Sequence, residues 1–392
     1  MDHPRPSGSR SWGTKVLLKS LAVVVLLAAA GLGVRYLSVP AHDPPSYTGA
    51  DACLSRVTPG TPAGAHAARG WDGFWSSYGN SGVGWTAADG GYSVSVPGLG
   101  ELWMYADTYI GSVGPQGRLH GPRLIHNSFV LESNSGIHTY FRGTHTLPLS
   151  LVGGSHYIAY WPGPAVVVGH TVQVLFSQFH ATQMSTITFL RSVVAQFSLP
   201  SMSLVSVTPV PSPYHTIWSS WTMTTGGYTY IYGVGGTAFV KLMHVARVRG
   251  DNLLGRWQYW STNRWSYNPN DSTQVMSGIS ASFSVVRVNG VYVLVTIGTR
   301  GLARTLHPGG NIDAYFSCSP VGPFVGRRVI YRIKSQLKGG VLAYNAIAHP
   351  ELSNGRTLLV SYSVHGPTIS MLGQPASEYR PRYVWLKLPI RS

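Results

Sequence analysis

Beyond residue 70 the chain keeps returning to one pattern of apolar and polar positions. A small or aromatic start leads into an apolar strand, a glycine turn, and a second strand rich in Tyr, Val or Leu. The pattern spans Gly91–Tyr109 (turn Gly98–Gly100), Trp161–Phe176 (turn Gly169) and Trp218–Gly233 (turn Gly226-Gly227). It returns over Ser280–Ile297 (turn Asn289-Gly290) and Asn345–Val364 (turn Asn354-Gly355). Asn-Gly between apolar runs is a strong hairpin signal, because both residues accept the positive φ a tight turn needs.

Weaker strand pairs follow these hairpins: Asn127–Glu132 with Ile137–Phe141, and Ser192–Leu199 with Leu204–Pro209. Further on come His244–Val248 with Arg256–Trp260, and Ile312–Ser317 with Arg328–Tyr331. Four strands per unit, repeated every 55–65 residues or so, predict an all-β, five-bladed β-propeller. A two-sheet sandwich predicts no such repetition. The inner strand of each blade lines the central channel, so functional side chains are expected where those strands and their loops converge. The propeller is expected over residues 70–390, after a Pro/Gly/Ala-rich linker at 42–69.

The first 41 residues break the pattern. Arg5, Arg10, Lys15 and Lys19 precede an apolar run, Ser20–Val34, closed by Arg35. With snorkelling by Lys19, the segment Val16–Leu37 is long enough for an N-terminal hydrophobic export or anchor helix. A cleaved signal peptide ending near Val39-Pro40-Ala41 is the alternative. Either reading places the body outside the cytoplasm, membrane-anchored or secreted.

A net charge of +16 raises the question of nucleic acid. The basic residues are scattered, however, and no recognition motif accompanies them, so no nucleic-acid partner is expected. The excess arises as much from missing acids as from added bases. Cys53 and Cys318 are the two cysteines of the chain. In an exported protein an isolated pair reads as a disulfide, with two separate buried thiols as the alternative. No Gly-x-Ser-x-Gly, Cys-x-x-Cys or His-Glu-x-x-His motif occurs, and neither a cofactor nor a metal site is expected. A monomer is expected.

Thirteen carboxylates in 392 residues can be searched exhaustively. Asp89, in Asp89-Gly90-Gly91, precedes the first inner strand; an Asx turn is its structural reading. Asp107 ends an almost wholly apolar strand, where an unpaired carboxylate is costly and a donor or a function is implied. Glu351 follows His349-Pro350 in blade five, which ring closure brings beside blade one. These three are the candidate catalytic residues: sugar cleavage needs two carboxyls about 5–9.5 Å apart. His126, Asn127, Tyr344, Asn345 and His349 are the polar groups placed to orient a ligand. Trp161 and Trp218 stand near the starts of blades two and three, where aromatic faces suit sugar rings or packing. Asp72 sits in the segment leading to the first blade. Asp251, Asp271, Asp313 and Glu132 read as solvated.

The stretch Leu102-Trp103-Met104-Tyr105-Ala106-Asp107-Thr108-Tyr109-Ile110-Gly111 resembles a motif of a secreted actinobacterial family, domain of unknown function 4185. That family's relatives include mycobacterial endo-D-arabinanases. His126-Asn127-Ser128, Tyr160-Trp161-Pro162-Gly163, Gly227–Gly233 and His349-Pro350-Glu351-Leu352 add to the likeness, which covers about residues 70–390. The resemblance implies a five-bladed propeller similar to the arabinanase and levansucrase superfamily, with two or three channel-face acids cleaving furanosides. Asp107 with Asp89 matches the blade-one acids, and Glu351 matches the blade-five motif. Pro164 in blade two, and Ser219, Ser220 and Thr222 in blade three, stand where the superfamily often places further acids. The chain is therefore expected to be an exported glycoside hydrolase acting on an envelope or extracellular polysaccharide, possibly a furanoside such as arabinan. The alternative is a non-catalytic propeller that binds carbohydrate or the cell envelope.

Overall fold

The structure is a computed structural model. It describes residues 53–391 apart from 61–63, 154–156, 184–185, 238–239, 299–309, 334–341 and 366–373. Five antiparallel sheets form five blades. Their inner strands are Gly84–Val96, Ile158–Val168, Ile217–Thr225, Phe283–Val288 and Leu342–Asn354. Each packs against the next, and the fifth against the first, so the ring closes. The hairpin turns fall at the glycines named above, with left-handed φ at Gly98, Gly169, Gly226, Gly227, Asn289, Gly290 and Gly355.

One closing device escaped the sequence pattern. His66–Ala67, in the stretch read as linker, pairs with Arg382–Lys387 and completes blade five as its outermost strand. The first and last parts of the chain thus share one sheet. Upstream, Val57 bridges to Ile390, and Cys53 is bonded to Cys318 with Cα atoms 5.8 Å apart. The expected disulfide is present. The expected export or anchor helix lies outside the described residues. Among those residues no helix is long and apolar enough to cross a membrane.

The one α-helix described, Arg69–Gly79, was also missed. Gly70 and Gly73 lower its intrinsic propensity, and packing stabilises it instead. Trp75 is buried in an aromatic cluster with Trp85, Trp103 and Tyr105, at ring-centroid distances of 5.1–5.4 Å. Asp72, far from any channel role, accepts the Tyr383 amide at 2.9 Å and ties the helix to blade five. Buried Arg380 reinforces the junction, donating to the Thr86 carbonyl at 2.7 Å and to Asn80 at 2.9 Å.

Between blades the core is continuous. Tyr92, Leu102 and Met104 of blade one belong to one buried cluster with Val172, Val174 and Phe176 of blade two. The centre of the ring is filled as well. The Tyr92 hydroxyl reaches across from blade one and donates to the Ser220 carbonyl of blade three at 3.0 Å, beside the Trp221 ring.

Candidate active site

Blade one builds the site through an irregularity. Its inner strand pairs with Gly100–Val113, and the register slips between Ala88 and Gly90 and again between Gly90 and Tyr92. Gly90 and Gly91, at φ 79° and 94°, supply the conformation these bulges need. The Gly90 amide donates to Ser363 of blade five at 3.1 Å, which pins the bulge. Asp89 is thereby turned toward the mouth of the channel, and the Asp107 amide donates to its Oδ1 at 3.0 Å.

A break in the next strand brings in His126. The strand holding Asp107 pairs with Leu119–Ile125 on one side of Ala106-Asp107, as Thr108 opposite Ile125. On the other side it pairs with Ser128–Ser133, as Tyr105 opposite Ser128. The corner at residues 126–127 therefore falls beside Asp107. His126 Nδ1 lies 2.8 Å from Asp107 Oδ1, and Trp161 Nε1 of blade two donates to the same oxygen at 2.8 Å. Asp107 is 2% exposed. Its buried carboxyl has the donors that the cost of burial demands.

Two tyrosines face Asp89: Tyr344, expected with Asn345 among the ligand-orienting groups, and Tyr379, which the sequence reading did not assign to this site. Tyr344, on the inner strand of blade five, donates to Asp89 Oδ2 at 2.9 Å, and the Tyr379 hydroxyl also bonds the carboxyl. Asn345 is half-buried beside Tyr344 and holds a left-handed φ of 52°, an uncommon conformation inside a strand. Burial first, and the neighbouring Asp107 carboxylate second, push Asp89 up to about 7; the tyrosine hydroxyls and the Asp107 amide oppose the rise. Asp89 keeps some solvent access, but protein groups face its carboxyl from blades one and five. Burial pulls His126 down, and the Asp107 carboxylate, its hydrogen bond and Asp89 together outweigh that and raise it. Two carboxyls, one holding its proton near neutrality, thus stand together beside an indole and an imidazole.

Glu351 is elsewhere. It bonds Ser93, four residues beyond Asp89 on one strand, and it is seven residues beyond Tyr344 on another. Regular strands advance about 3.3 Å per residue, so both strands place Glu351 well down the seam between blades one and five. There its side chain is 18% exposed although its backbone lies at the surface. Burial, offset by Ser93 and reinforced by Glu101, pushes Glu351 up to about 8. Glu101 is raised to about 7 by burial, with Ser95 opposing. His349 is fully buried, with Nδ1 2.5 Å from Ser93 Oγ and Nε2 2.9 Å from Ser361 Oγ, and burial lowers it to about 3. The expected convergence of Glu351 and His349 with Asp107 is not what the structure shows.

Other candidates are framework. Asn127 is buried, donates to the Val152 and Tyr160 carbonyls, and accepts the Val152 amide. Trp218 is 0% exposed, packed against Trp257 and Tyr259, with its indole donating to the Pro211 carbonyl. Asp313 is not solvated as expected: it is 1% exposed and paired with Arg327 at 2.8 Å. Glu132 is half-buried, and burial raises it. In blades two and three Pro164 is buried, and Ser220 donates to the Ala281 carbonyl. Ser219 is bonded to Ser177. Among the described residues no group of His, Cys, Asp and Glu is arranged to hold a metal ion.

The family model for the domain of unknown function DUF5005 matches residues 72–387. The chain belongs to this family. The match is to DUF5005; membership of the 4185 family, suggested by the motifs, is not among the findings. A proposed hydrolase from Bacteroides ovatus superposes with a TM-score of 0.68 at 15% identity, over 86% of this chain and 95% of that one. An exo-β-1,3-galactanase from Phanerochaete chrysosporium gives 0.47 at 14% identity, over 78% and 62%. An α-L-arabinofuranosidase from Podospora anserina gives 0.46 at 7%, over 78% and 98%. At such identities the likeness is one of fold. No curated protein matches the DUF5005 chain.

Proposed function

We propose that this DUF5005 protein is an exported glycoside hydrolase acting on an envelope or extracellular polysaccharide, with furanosides such as arabinan the first class to test. The observation that carries the reading is the pair Asp89 and Asp107 on adjacent strands at the channel mouth. Asp89, held near 7, is poised to give its proton to a leaving glycosidic oxygen. Asp107 Oδ1 is committed to His126 and Trp161, and no described residue bonds its Oδ2, which faces the role of nucleophile or base. The Trp161 ring, packed against Phe179 and partly exposed, offers a face for a sugar.

A second reading is a propeller that binds carbohydrate without cutting it. The observation favouring it is that blades two and three contribute no acid to the mouth, since Pro164 is buried there and Ser219 and Ser220 are spent on structural bonds. Incubating the full chain with arabinans, galactans, fructans and envelope polysaccharides, and measuring new reducing ends, separates the two. Release from a furanose-bearing polymer supports hydrolysis. Retention on a polymer with no release moves the assignment to binding.

A further inference from the structure

The end of the propeller opposite the carboxylate mouth is basic. The turn of blade four, Asn289-Gly290, is clasped by the two extremities of the described chain. Arg56 donates to the Asn289 carbonyl at 2.7 Å, and Asn289 Nδ2 donates to the Arg391 carbonyl at 3.0 Å. The Arg391 amide donates to the Arg56 carbonyl at 2.8 Å. Arg356, beside the turn of blade five, donates to the Ile390 carbonyl at 2.8 Å, and Lys387 lies opposite Thr357 next to it. Arg287 stands two residues before the blade-four turn, over the Tyr292 ring. Arg56, Arg287, Arg391 and Lys387 are exposed and Arg356 half-buried. Among the described residues none of the five forms an ion pair. Of the carboxyls on this half of blades one and five, Glu101 is buried, Glu132 opposite it is half-buried, and Glu351 is committed to Ser93 in the seam. The bonds of Arg56 and Arg356 use main-chain acceptors, so they fix these two guanidinium groups in place without neutralising them.

The chain also arrives at this end. Cys53 is bonded to Cys318 just beyond the strand Asn311–Ser317, whose Ser317 pairs with Tyr292 near the blade-four turn. Residues 38–52 separate it from the apolar segment, and a stretch of that length spans at most about 50 Å and about 20 Å as a flexible coil. We propose that this basic end docks on an anionic membrane surface, which holds the Asp89–Asp107 mouth outward toward the polymer. The proposal rests on the reading of the apolar run as an export or anchor segment. A tether that short keeps the basic face at high effective concentration near the bilayer. Each basic residue near an anionic surface then adds roughly five-fold to the docked population, until salt screens it.

The test is amide hydrogen exchange on the full chain with phosphatidylglycerol vesicles and, separately, phosphatidylcholine vesicles. Flotation with either vesicle reads insertion of the N-terminal segment independently of docking. The expected result is at least ten-fold slower exchange over residues 54–58, 287–291 and 354–358 with phosphatidylglycerol alone. The effect should vanish in 0.5 M salt, while residues 344–348 at the mouth stay unchanged. The variant R56S/R287S/R391S/K387S, checked for an unchanged melting temperature, should lose the protection. Equal protection by both lipids, none by either, or the same protection by soluble glycerol phosphate would overturn the proposal. The comparison of lipids and salt on the unmodified chain needs no variant.

Discussion

Two carboxyl pairs sit on blade one and its neighbours, and both include a group raised toward neutral pH. Asp89 and Asp107 meet where blade one abuts the corner at residues 126–127 and blade five; Glu101 and Glu351 face each other across the seam between blades one and five. Burial is the first cause at Asp89, Glu101 and Glu351 alike. The surroundings differ. At the mouth Asp107 carries an indole and an imidazole on a single oxygen, and a strained Asn345 stands alongside. In the seam Glu351 is engaged by Ser93 and Glu101 by Ser95, each within blade walls. A raised carboxyl is therefore no sufficient mark of a catalytic group; the identity of its partners decides.

The largest effect separating the two pairs is expected at Asp89. Asp89→Asn should lower kcat/KM by about 1000-fold or more, with melting temperature within a few degrees, since it removes a proton donor and keeps the packing. In the unmodified protein activity should fall as pH rises through about 7, as Asp89 loses the proton it must donate. A pH–rate profile on a polymer the protein cuts checks both, and a variant retaining that alkaline limb would count against Asp89 as the donor.

A smaller effect is expected at the tyrosines. Their hydroxyls oppose the rise in Asp89, so Tyr344→Phe and Tyr379→Phe should each move the alkaline limb to higher pH. A loss of about ten-fold in kcat is expected beside it. A loss of activity with an unmoved limb would reduce the tyrosines to packing.

The smallest effect belongs to the seam and is one of stability. Glu101 and Glu351 bind protons more tightly folded than unfolded. Their contribution is thus full below about pH 4.5 and is lost as pH rises through about 7 to 8. Glu101→Gln should flatten that decline and raise stability at pH 8 relative to pH 5 by about 1 kcal/mol or more. Chemical denaturation at the two pH values measures it, and parallel curves for variant and parent would refute the raised Glu101 carboxyl. His349, Ser93, Ser95 and Glu132 are the other polar groups facing this pair.

The ring of blades was legible because a hairpin writes its turn locally: Asn289-Gly290 and Asn354-Gly355 announce themselves without help from distant residues. Closure of blade five by His66–Ala67 was not, since two residues in a Pro/Gly-rich stretch carry no period to read. The helix Arg69–Gly79 was hidden for a related reason, its stability coming from Trp75 packed on blade one and Asp72 bonded to blade five. Within the site, Asp89, Asp107, His126 and Trp161 were named from sequence and are found together. Tyr379 was invisible because it arrives from a 3₁₀ turn, Ala376–Tyr379, nearly three hundred residues from its partner. Glu351 was misplaced for an instructive reason. Ring closure does bring blade five to blade one, but adjacency of blades leaves height along the strand undetermined, and the register of Tyr344 and Ser93 sets that height.

The most direct test compares Asp107→Asn with Glu351→Gln, side by side, on whichever polysaccharide the parent protein cuts. The account predicts that Asp107→Asn abolishes release of reducing ends, while Glu351→Gln keeps kcat/KM within about three-fold of the parent. Loss of turnover in Glu351→Gln, with Asp107→Asn still active, would contradict it.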